Sequence, residues 1–247
     1  MIMAVDIGNT NISVAGFSSG NEPDFIKKYP DNRFHTASEL LSELKRLGIT
    51  PDGAVLCSVV PSLAVMAEEA LKEFCDGNVL VVDSNFNDKM AISGYDRRKL
   101  GNDRIADMTA VKYLYGAPAV VIDMGTATTV SVIDSEGVFI GGLILPGLSM
   151  SLNALSSGTA LLPGITPHAP RSFLGQDTVS CINNGVIYSQ ASTVEGIIAR
   201  AEEMLGEDVK AVITGGAASF ILPVVRKKVI YDENLLFKGL YLLWLNA

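Results

Sequence analysis

The spacing of hydrophobic and polar residues predicts a chain in which strands and helices alternate. Residues 54–60 and 79–82 are short apolar runs bounded by turn formers, which is typical of buried strands. The segment between them, 61–75, has helical spacing and carries Pro61 in its first turn. Crossover helices that link buried strands indicate an α/β fold with mixed sheets covered by helices.

Three further segments have helical patterns with recognisable ends. Residues 36–48 begin with the capping box Thr36-x-x-Glu39 and end at Gly48, with an apolar stripe of leucines between them. Residues 103–115 are followed by Gly116, and 192–206 begin with Ser192-x-x-Glu195. Residues 210–214 then read as a strand that runs into a Gly-Gly pair.

One pattern occurs twice. Residues 5–14 and 122–132 each read as a strand, an Asp-x-Gly turn with small polar residues, and a second alternating strand. A single Asp-x-Gly turn carries little information because both residues are ordinary turn formers. Two such turns in the same context, about half a chain apart, predict a duplicated domain.

The amino-acid composition argues against several classes of protein. The 247 residues are 48% hydrophobic and 19% charged, with a formal net charge of −8 and a mean hydropathy of +0.32. So little charge excludes a disordered chain. The negative balance argues against nucleic-acid binding through a basic face and against binding to an anionic membrane surface.

The apolar excess does not predict a membrane span. The longest run without Asp, Glu, Lys or Arg, residues 137–170, is interrupted repeatedly by Gly and Pro. The first residues lack the basic region of a signal peptide, so we expect a cytoplasmic protein. Three cysteines without CxxC spacing are expected to be buried thiols. The excess of apolar residues is therefore expected to be buried in two hydrophobic cores and a protein interface.

The two Asp-x-Gly turns could hold a polyphosphate and its metal ion. Gly8 and Gly125 would let a phosphate approach the backbone N–H groups, and Asp6 and Asp123 offer hard oxygens to a cation. Neighbouring neutral donors are Asn9, Thr10, Asn11, Thr126, Thr128 and Thr129. Neither turn carries a Lys, and the chain has no P-loop motif, so metal ions and backbone dipoles would offset the phosphate charge.

Alternatives remain at each of these motifs. An Asp-x-Gly turn on its own is more often a hairpin with polar side chains than a nucleotide site. Only the pair favours nucleotide binding, with the two turns expected to face each other across a domain cleft. Spacing leaves open whether Asp123 holds a monovalent cation, with Mg²⁺ near Asp6. Residues 101–104, Gly-Asn-Asp-Arg, are either a helix cap or a general base with an anion site. Gly215 and Gly216 either admit a flat ring such as adenine or allow close packing.

The ordered set of motifs resembles the type III pantothenate kinase family, within the acetate and sugar kinase, Hsp70 and actin superfamily. The resemblance runs nearly end to end. The motifs that carry it are, in chain order, Asp6-Ile7-Gly8-Asn9-Thr10, Ser58-Val59-Val60-Pro61, Gly101-Asn102-Asp103-Arg104, Asp123-Met124-Gly125-Thr126-Ala127-Thr128-Thr129, Gly141-Gly142-x-Ile144-x-Pro146-Gly147, Gly175-x-Asp177-Thr178, Glu195-Gly196 and Thr214-Gly215-Gly216.

The resemblance implies two ribonuclease-H-like, actin-like ATPase domains, 1–115 and 116–247. It also implies a homodimeric transferase that uses ATP and Mg²⁺ to phosphorylate the terminal primary hydroxyl of pantothenate, the first step of coenzyme A biosynthesis. The second subunit would help to close the pantothenate pocket. The charge-free run 137–170 is expected near the active site and the dimer contact.

Residue roles follow from the same resemblance. Asp103 would be the general base, Asp123 would hold a monovalent cation (K⁺ or NH₄⁺), and Asp6 would lie by Mg²⁺, through phosphate or water. The ATP contacts would be Asp6, Ile7, Gly8, Asn9, Thr10, Asn11, Ile12, Ser13 and Thr126. The pantothenate contacts would be Gly101, Asn102, Asp103, Arg104, Thr178 and Tyr95.

The chain departs from the family pattern in one place. Residues 95–100 keep Tyr95 but lack the usual Asn-Pro, are one residue short and carry two arginines and a lysine instead. A solvated loop of altered length is the simplest interpretation. Two other functions remain possible at this point: a non-catalytic accessory or regulatory homologue, and a superfamily relative that acts on sugars or polyphosphate.

Overall fold

The computed structural model describes residues 1–83, 86 and 89–247. The strands are β1 (Ile2–Ile7), β2 (Asn11–Phe17), β3 (Phe25–Pro30), β4 (Gly53–Ser58), β5 (Val79–Val82), β6 (Ala119–Met124), β7 (Ala127–Ile133), β8 (Phe139–Pro146), β9 (Lys210–Thr214) and β10 (Ile230–Tyr231). The helices are α1 (Ala37–Lys45), α2 (Pro61–Phe74), α3 (Asn102–Leu114), α4 (Leu148–Ser157), α5 (Thr178–Leu205), α6 (Ala218–Ile221) and α7 (Leu235–Leu245).

These elements form two compact units. The first comprises Met1–Leu114 with Asn234–Ala247, and the second comprises Tyr115–Glu233. The sequence-based assignment of 116–247 to a single domain differs from this division, because helix α7 packs with the first unit. The change of unit between residues 114 and 115 lies next to the expected boundary at 115.

Each unit contains a five-stranded mixed sheet of the same topology. The strand order is β3-β2-β1-β4-β5 in the first unit and β8-β7-β6-β9-β10 in the second. In both, the first three strands along the chain are antiparallel neighbours, and the last two are parallel to the central strand. The repeat of this order confirms the expected pair of ribonuclease-H-like, actin-like ATPase domains.

The first sheet is covered on both faces. Alternate residues of β1, including Met3, Val5 and Ile7, pack with α1 and α2 in one cluster, while Ala4 packs on the other side in a cluster that includes residues of α3 and α7. Strands buried on both faces read as continuous apolar runs, which is the pattern seen in the sequence. In the second unit one large cluster joins β6, β7 and β9 to α4, α5 and α6.

The predicted helix starts are confirmed at α1 and α2 but not at α5. Thr36 caps α1 by accepting from the Glu39 N–H at 3.3 Å, and Pro61 opens α2. Helix α5 begins at Thr178 rather than at Ser192, because Asp177 and Ser180 form a capping box at its first turn. The Ser192 motif lies inside that helix, where its spacing has no capping role.

Helix α7 is almost entirely buried and apolar except for Lys238, whose Nζ donates to Glu22 Oε1 at 2.6 Å. Its closest contact is with α3, where a Cβ on Gly239 would overlap the Ala106 carbonyl. A helix without a polar face is stable in water only when other elements surround it. Together with α3, in which residues 104–111 are all buried, α7 accounts for part of the apolar excess.

No helix among the described residues is both long and apolar enough to cross a membrane.

The contact between α7 and α3 predicts that a substitution of Gly239 destabilises the protein, whereas a control substitution in α5 stabilises it. Gly239→Ala should lower the free energy of unfolding by about 1–3 kcal/mol, because the added methyl group forces the two helices apart. Gly185→Ala is the matched control, since Gly185 lies within α5 with open space around the position of a Cβ. That change should raise the free energy of unfolding by about 0.5–1 kcal/mol. Urea denaturation of both variants is the measurement, and equal effects would contradict the packing described.

Candidate active site

The first Asp-x-Gly turn is a tight hairpin at the end of β1. The Gly8 N–H donates to the Asn11 carbonyl at 3.0 Å, which closes a two-residue turn of Asn9 and Thr10. These two residues and Asn11 are exposed. The side chains of the turn are therefore accessible from solvent, whereas the Gly8 N–H is used within the hairpin.

Not every residue of this motif offers its side chain. Ile7 and Ile12 are fully buried and pack in the cluster with α1 and α2. Ser13, which pairs with Asp6 across the β1–β2 ladder, is only 7% exposed. A ligand at the turn could meet Ile7 and Ile12 through their backbone alone.

Asp6 lies beside carboxylates of α3. Its partner on the parallel strand β4 is Cys57, and the Cys57 thiol is fully buried. Burial raises the pKa of this thiol well above its ordinary value, and the negative charges of Asp6, Asp103 and Asp107 raise it further. The structure thus brings Asp6 and Asp103 to the same end of the first sheet.

Asp103 is held at the start of α3. Its Oδ1 accepts from the Arg104 N–H at 2.8 Å, and the helix begins with the Ile105 N–H donating to the Gly101 carbonyl at 3.2 Å. A Cβ on Gly101 would overlap the Asp103 Oδ1. A side chain at position 101 would therefore displace the Asp103 carboxylate from this position. Among the described residues no other hydrogen bond to this carboxylate is found, so Oδ2 remains to accept a proton.

Arg104 is a buried cation next to this carboxylate. Burial lowers the pKa of its guanidinium, and the charges of Tyr95, Asp103 and Asp107, with a hydrogen bond to the Tyr95 side chain, act in the opposite direction. Tyr95 is 41% exposed, whereas Arg104 is 6% exposed. The structure therefore groups Tyr95 with the Gly101–Arg104 motif.

Sequence reasoning missed Asp107. This carboxyl-bearing side chain is 4% exposed and lies one helical turn after Asp103, close enough to Arg104 and Cys57 to affect the pKa of both. The Asp-x-x-x-Asp spacing, which places both side chains on one helix face, is a signal that could have found it.

The segment that departs from the family pattern forms a single 3₁₀ turn over Arg97–Lys99. Asp96 caps it and accepts from the Arg98 N–H and Nε, both at 3.1 Å. Arg98 and Lys99 are exposed, as a solvated loop would predict. Arg97 is half-buried and donates to the Asn102 Oδ1 at 3.4 Å, so this part of the segment contacts the start of α3.

The second Asp-x-Gly turn is built around Asp123 on the central strand β6. Asp123 pairs with Thr129 of β7 and with Thr214 of β9. Gly215 follows with φ +91°, and a Cβ there would lie 2.5 Å from the Asp123 Oδ1 and 2.6 Å from the Met124 backbone nitrogen. Gly215 thus serves close packing, whereas the position of a Cβ on Gly216 is open.

Gly147 contacts the same turn from another element. It precedes α4, and a Cβ on it would overlap the Thr126 carbonyl and lie 2.6 Å from the Gly125 carbonyl oxygen. Thr126 is exposed and available to a ligand. Thr128 is not: it is 4% exposed and its hydroxyl is buried, so the expectation that it donates to a ligand is wrong. Alternation along β7 turns Thr128 to the core face of the sheet.

Thr178 is the first residue of α5 and is exposed. The preceding Asp177 accepts from the Ser180 N–H at 2.9 Å, a hydrogen bond that lowers the pKa of the Asp177 carboxyl below its ordinary value. The cap fixes the helix start and leaves the Thr178 side chain in solvent.

A metal ion would find few protein ligands in these turns. Among the described residues no group of three or more His, Cys, Asp or Glu side chains could hold a metal. Single carboxylates at Asp6 and Asp123, next to backbone donors, suit a cation that takes most of its ligands from phosphate oxygens and water, as Mg²⁺ does in kinases.

Comparison with known proteins decides the family. The family model described as type III pantothenate kinase matches residues 2–200. The chain belongs to the type III pantothenate kinase family. A protein of that name from Agathobacter rectalis is 33% identical over 99% of this chain and 96% of the relative. Another from Moorella thermoacetica is 35% identical over 99% of this chain and 98% of the relative.

A solved structure shares the fold. The protein from Campylobacter jejuni assigned to the Baf family of transcriptional activators aligns with a TM-score of 0.66 and 20% identity, over 99% of this chain and 98% of that protein. At this identity the likeness concerns the fold alone. The family shown by the closer relatives is an enzyme family of kinases.

The environments of the cysteines predict selective labelling. Cys57 should resist iodoacetamide in the folded protein, because a buried thiol with a raised pKa forms little thiolate. Cys181 is exposed, contrary to the expectation of three buried thiols, and should react. Mass spectrometry of labelled peptides measures both. Labelling of Cys57 as fast as Cys181 in the native protein would contradict the burial described. Labelling of Cys57 only after denaturation is the expected result.

Proposed function

We propose that this chain transfers the γ-phosphoryl group of ATP to the terminal primary hydroxyl of pantothenate, the first step of coenzyme A biosynthesis. Membership of the type III pantothenate kinase family supports this function. The observation in the structure that carries it is the Asp103 carboxylate, held over Gly101 with one oxygen fixed by the Arg104 N–H.

In this proposal Asp103 is the general base. Its Oδ2 accepts the proton of the pantothenate hydroxyl as the hydroxyl oxygen forms a bond to the γ-phosphorus. The bond between that phosphorus and the β–γ bridging oxygen breaks, and ADP leaves with the electron pair. Positioning and electrostatic stabilisation supply most of the rate in such transfers, and a well-placed base contributes about 10²–10⁴-fold.

Residues of the first unit would hold both substrates. Residues 6–13 would contact ATP, with the exposed turn 8–11 offering donors and the buried residues Ile7 and Ile12 contributing backbone only. Asp6 would face Mg²⁺ through phosphate oxygens or water. Mg²⁺, when bound, neutralises charge on the phosphates. Gly101–Arg104 would bind pantothenate, and the contact of Tyr95 with Arg104 supports a place for Tyr95 in the same pocket.

Residues of the second unit would supply further contacts to ATP, to pantothenate and to the monovalent cation. Thr126 would contact ATP and Thr178 would contact pantothenate, and both are exposed. Asp123 would hold K⁺ or NH₄⁺, which would offset phosphate charge where the turn carries no Lys. The closeness of Gly215 to the Asp123 carboxylate fixes its position.

We also propose that the protein is a homodimer, with the second subunit helping to close the pantothenate pocket. Several large apolar side chains of the second unit are exposed, which supports an interface there: Leu143 and Ile144 on β8, and Phe173 and Leu174 before α5. Leu143 and Ile144 lie within the charge-free run, as expected. The net charge of −8 supports a protein without a nucleic-acid or membrane partner, and the proposed use of ATP supports a cytoplasmic location.

No observation favours the accessory or regulatory alternative, or a sugar or polyphosphate substrate. Asp6, Asp103, Asp123 and Thr178 are all present at their motif positions.

The proposed base predicts the effect of Asp103→Asn. This change should lower kcat about 10²–10⁴-fold, because the amide cannot accept the hydroxyl proton, while the Kd for ATP stays near the native value. A coupled assay for ADP measures turnover, and calorimetry measures ATP binding. Asp76→Asn is the control, since Asp76 is exposed after α2 at φ 49°, a conformation that asparagine tolerates.

A second variant separates the position of the carboxylate from its chemistry. Gly101→Ala should also lower kcat, because its methyl group displaces the Asp103 side chain. The melting temperature should change little, since only a side chain must move. Native kcat in both Asp103→Asn and Gly101→Ala would place the base elsewhere.

The proposed cation site predicts dependence on K⁺ or NH₄⁺. Activity should fall at least about tenfold in buffers that contain only Na⁺ or tetramethylammonium, because the phosphate charge is then offset less well. Asp123→Asn should remove the stimulation by added K⁺. Full activity without K⁺ and NH₄⁺ would refute the cation role of Asp123, whereas the general-base role of Asp103 would be unaffected.

A further inference from the structure

A network of hydrogen bonds connects α5 to the start of α4 in the second unit. Gln190 Nε2 donates to the Pro146 carbonyl at 3.0 Å and to the Ser151 Oγ at 3.4 Å. Ser151 Oγ donates in turn to the Gly147 carbonyl at 3.0 Å. We call these four residues the Gln190 network. Since a carbonyl can only accept, Pro146 requires the amide nitrogen of Gln190 on its side.

The Gln190 network ends at the second Asp-x-Gly turn. Gly147 lies so close to the Gly125 carbonyl oxygen that a Cβ would be 2.6 Å from it. A trans peptide points its N–H opposite to its C=O. Contact between Gly147 and the Gly125 carbonyl therefore turns the N–H of Thr126 away from α4. The network thus sets the direction of a backbone donor in the turn.

Packing alone does not hold this arrangement. A cavity of about 150 Å³ lies beside the network, with Ile122, Leu145, Val194 and Ile197 among its walls. Thr128 also lines it, and within the described part of the chain its hydroxyl has no hydrogen-bond partner. Pro146 is also held by its pairing with Ala127 in the β7–β8 ladder, and the Gly147 carbonyl also accepts from the Ser151 N–H at 3.0 Å. Where side chains leave a void, the hydrogen bonds of Gln190 add to this restraint.

We propose that Gln190 is a positioning residue for phosphoryl transfer. Its amide holds Gly147 against the Gly125–Thr126 peptide, and this contact keeps the Thr126 N–H directed to the phosphates of ATP. The inference rests on the proposed kinase function and adds a residue that touches neither substrate. It belongs to α5, the helix that begins with Thr178.

Gln190→Glu tests this role with little change of size. The carboxylate cannot donate to the Pro146 carbonyl, so the network should open. We expect the KM for ATP to rise about tenfold while the KM for pantothenate stays within about twofold. The ¹H–¹⁵N NMR resonance of the Thr126 amide, recorded without ligands, should shift because the direction of its peptide changes. Ser151→Ala should act in the same direction with a smaller effect, and it keeps the test available if Gln190→Glu does not fold.

Thr193→Val is the matched control. Thr193 lines the same cavity on the same helix, but its hydroxyl donates to the Ser189 carbonyl of its own helix at 2.8 Å. This variant should keep the native KM for ATP and the native Thr126 amide resonance.

The possible outcomes distinguish the positioning role of Gln190 from the proposed kinase function. A native KM for ATP and an unshifted Thr126 amide resonance in Gln190→Glu would overturn the positioning role. A parallel loss for both substrates with a lowered melting temperature would show a merely structural role and would also overturn it. A wild-type protein that does not phosphorylate pantothenate would refute the proposed function, while a shifted Thr126 resonance in Gln190→Glu would still support the network.

Discussion

The candidate active site depends on three glycines that lie so close to neighbouring groups that no side chain would fit at their positions. Gly101 lies under the Asp103 carboxylate, Gly147 against the Gly125 and Thr126 carbonyls, and Gly215 against Asp123 and Met124. Neither Asp-x-Gly turn carries a lysine, so ligand charge must be met by backbone donors, carboxylates and their cations. The contact of Gly147 bears on the backbone of the second turn, whereas in the first unit the contact of Gly101 bears on the Asp103 carboxylate. A methyl group at any of these three positions would displace a group of the site.

The same fold places different groups around the Asp-x-Gly turns of the two units. Both central strands end in an Asp-x-Gly turn, and both sheets have the same strand order. In the first unit Asp6 and the carboxylates of α3 lie near a buried cysteine, and the carboxylates of α3 also lie near a buried arginine. In the second, Asp123 pairs with β9 and lies close to Gly215, and Gly147 before α4 contacts the turn. In the proposed function, this duplicated scaffold would assign a proton acceptor to one half and a cation site to the other.

Much of this could be predicted from the sequence because it depends on local signals. Capping at Thr36, Pro61 at a helix start and the alternation in β2 and β7 reflect neighbours along the chain. What sequence reasoning missed has two causes. The start of α5 depends on a local capping box that uses Asp and Ser instead of Ser/Thr and Glu. The place of α7 depends on a distant partner, through the fit of Gly239 against Ala106. The burial of Thr128 and Asp107, and the reach of Gln190 to Pro146, became visible only once the elements were packed.

The central claim concerns the reaction itself, and product analysis tests it most directly. Purified protein incubated with ATP, Mg²⁺, K⁺ and pantothenate can be followed by ³¹P NMR and mass spectrometry. The account predicts one phosphate monoester, on the terminal primary hydroxyl of pantothenate, formed in equal amount with ADP and only when pantothenate is present. ATP consumption without phosphopantothenate, or transfer to water alone, would contradict it.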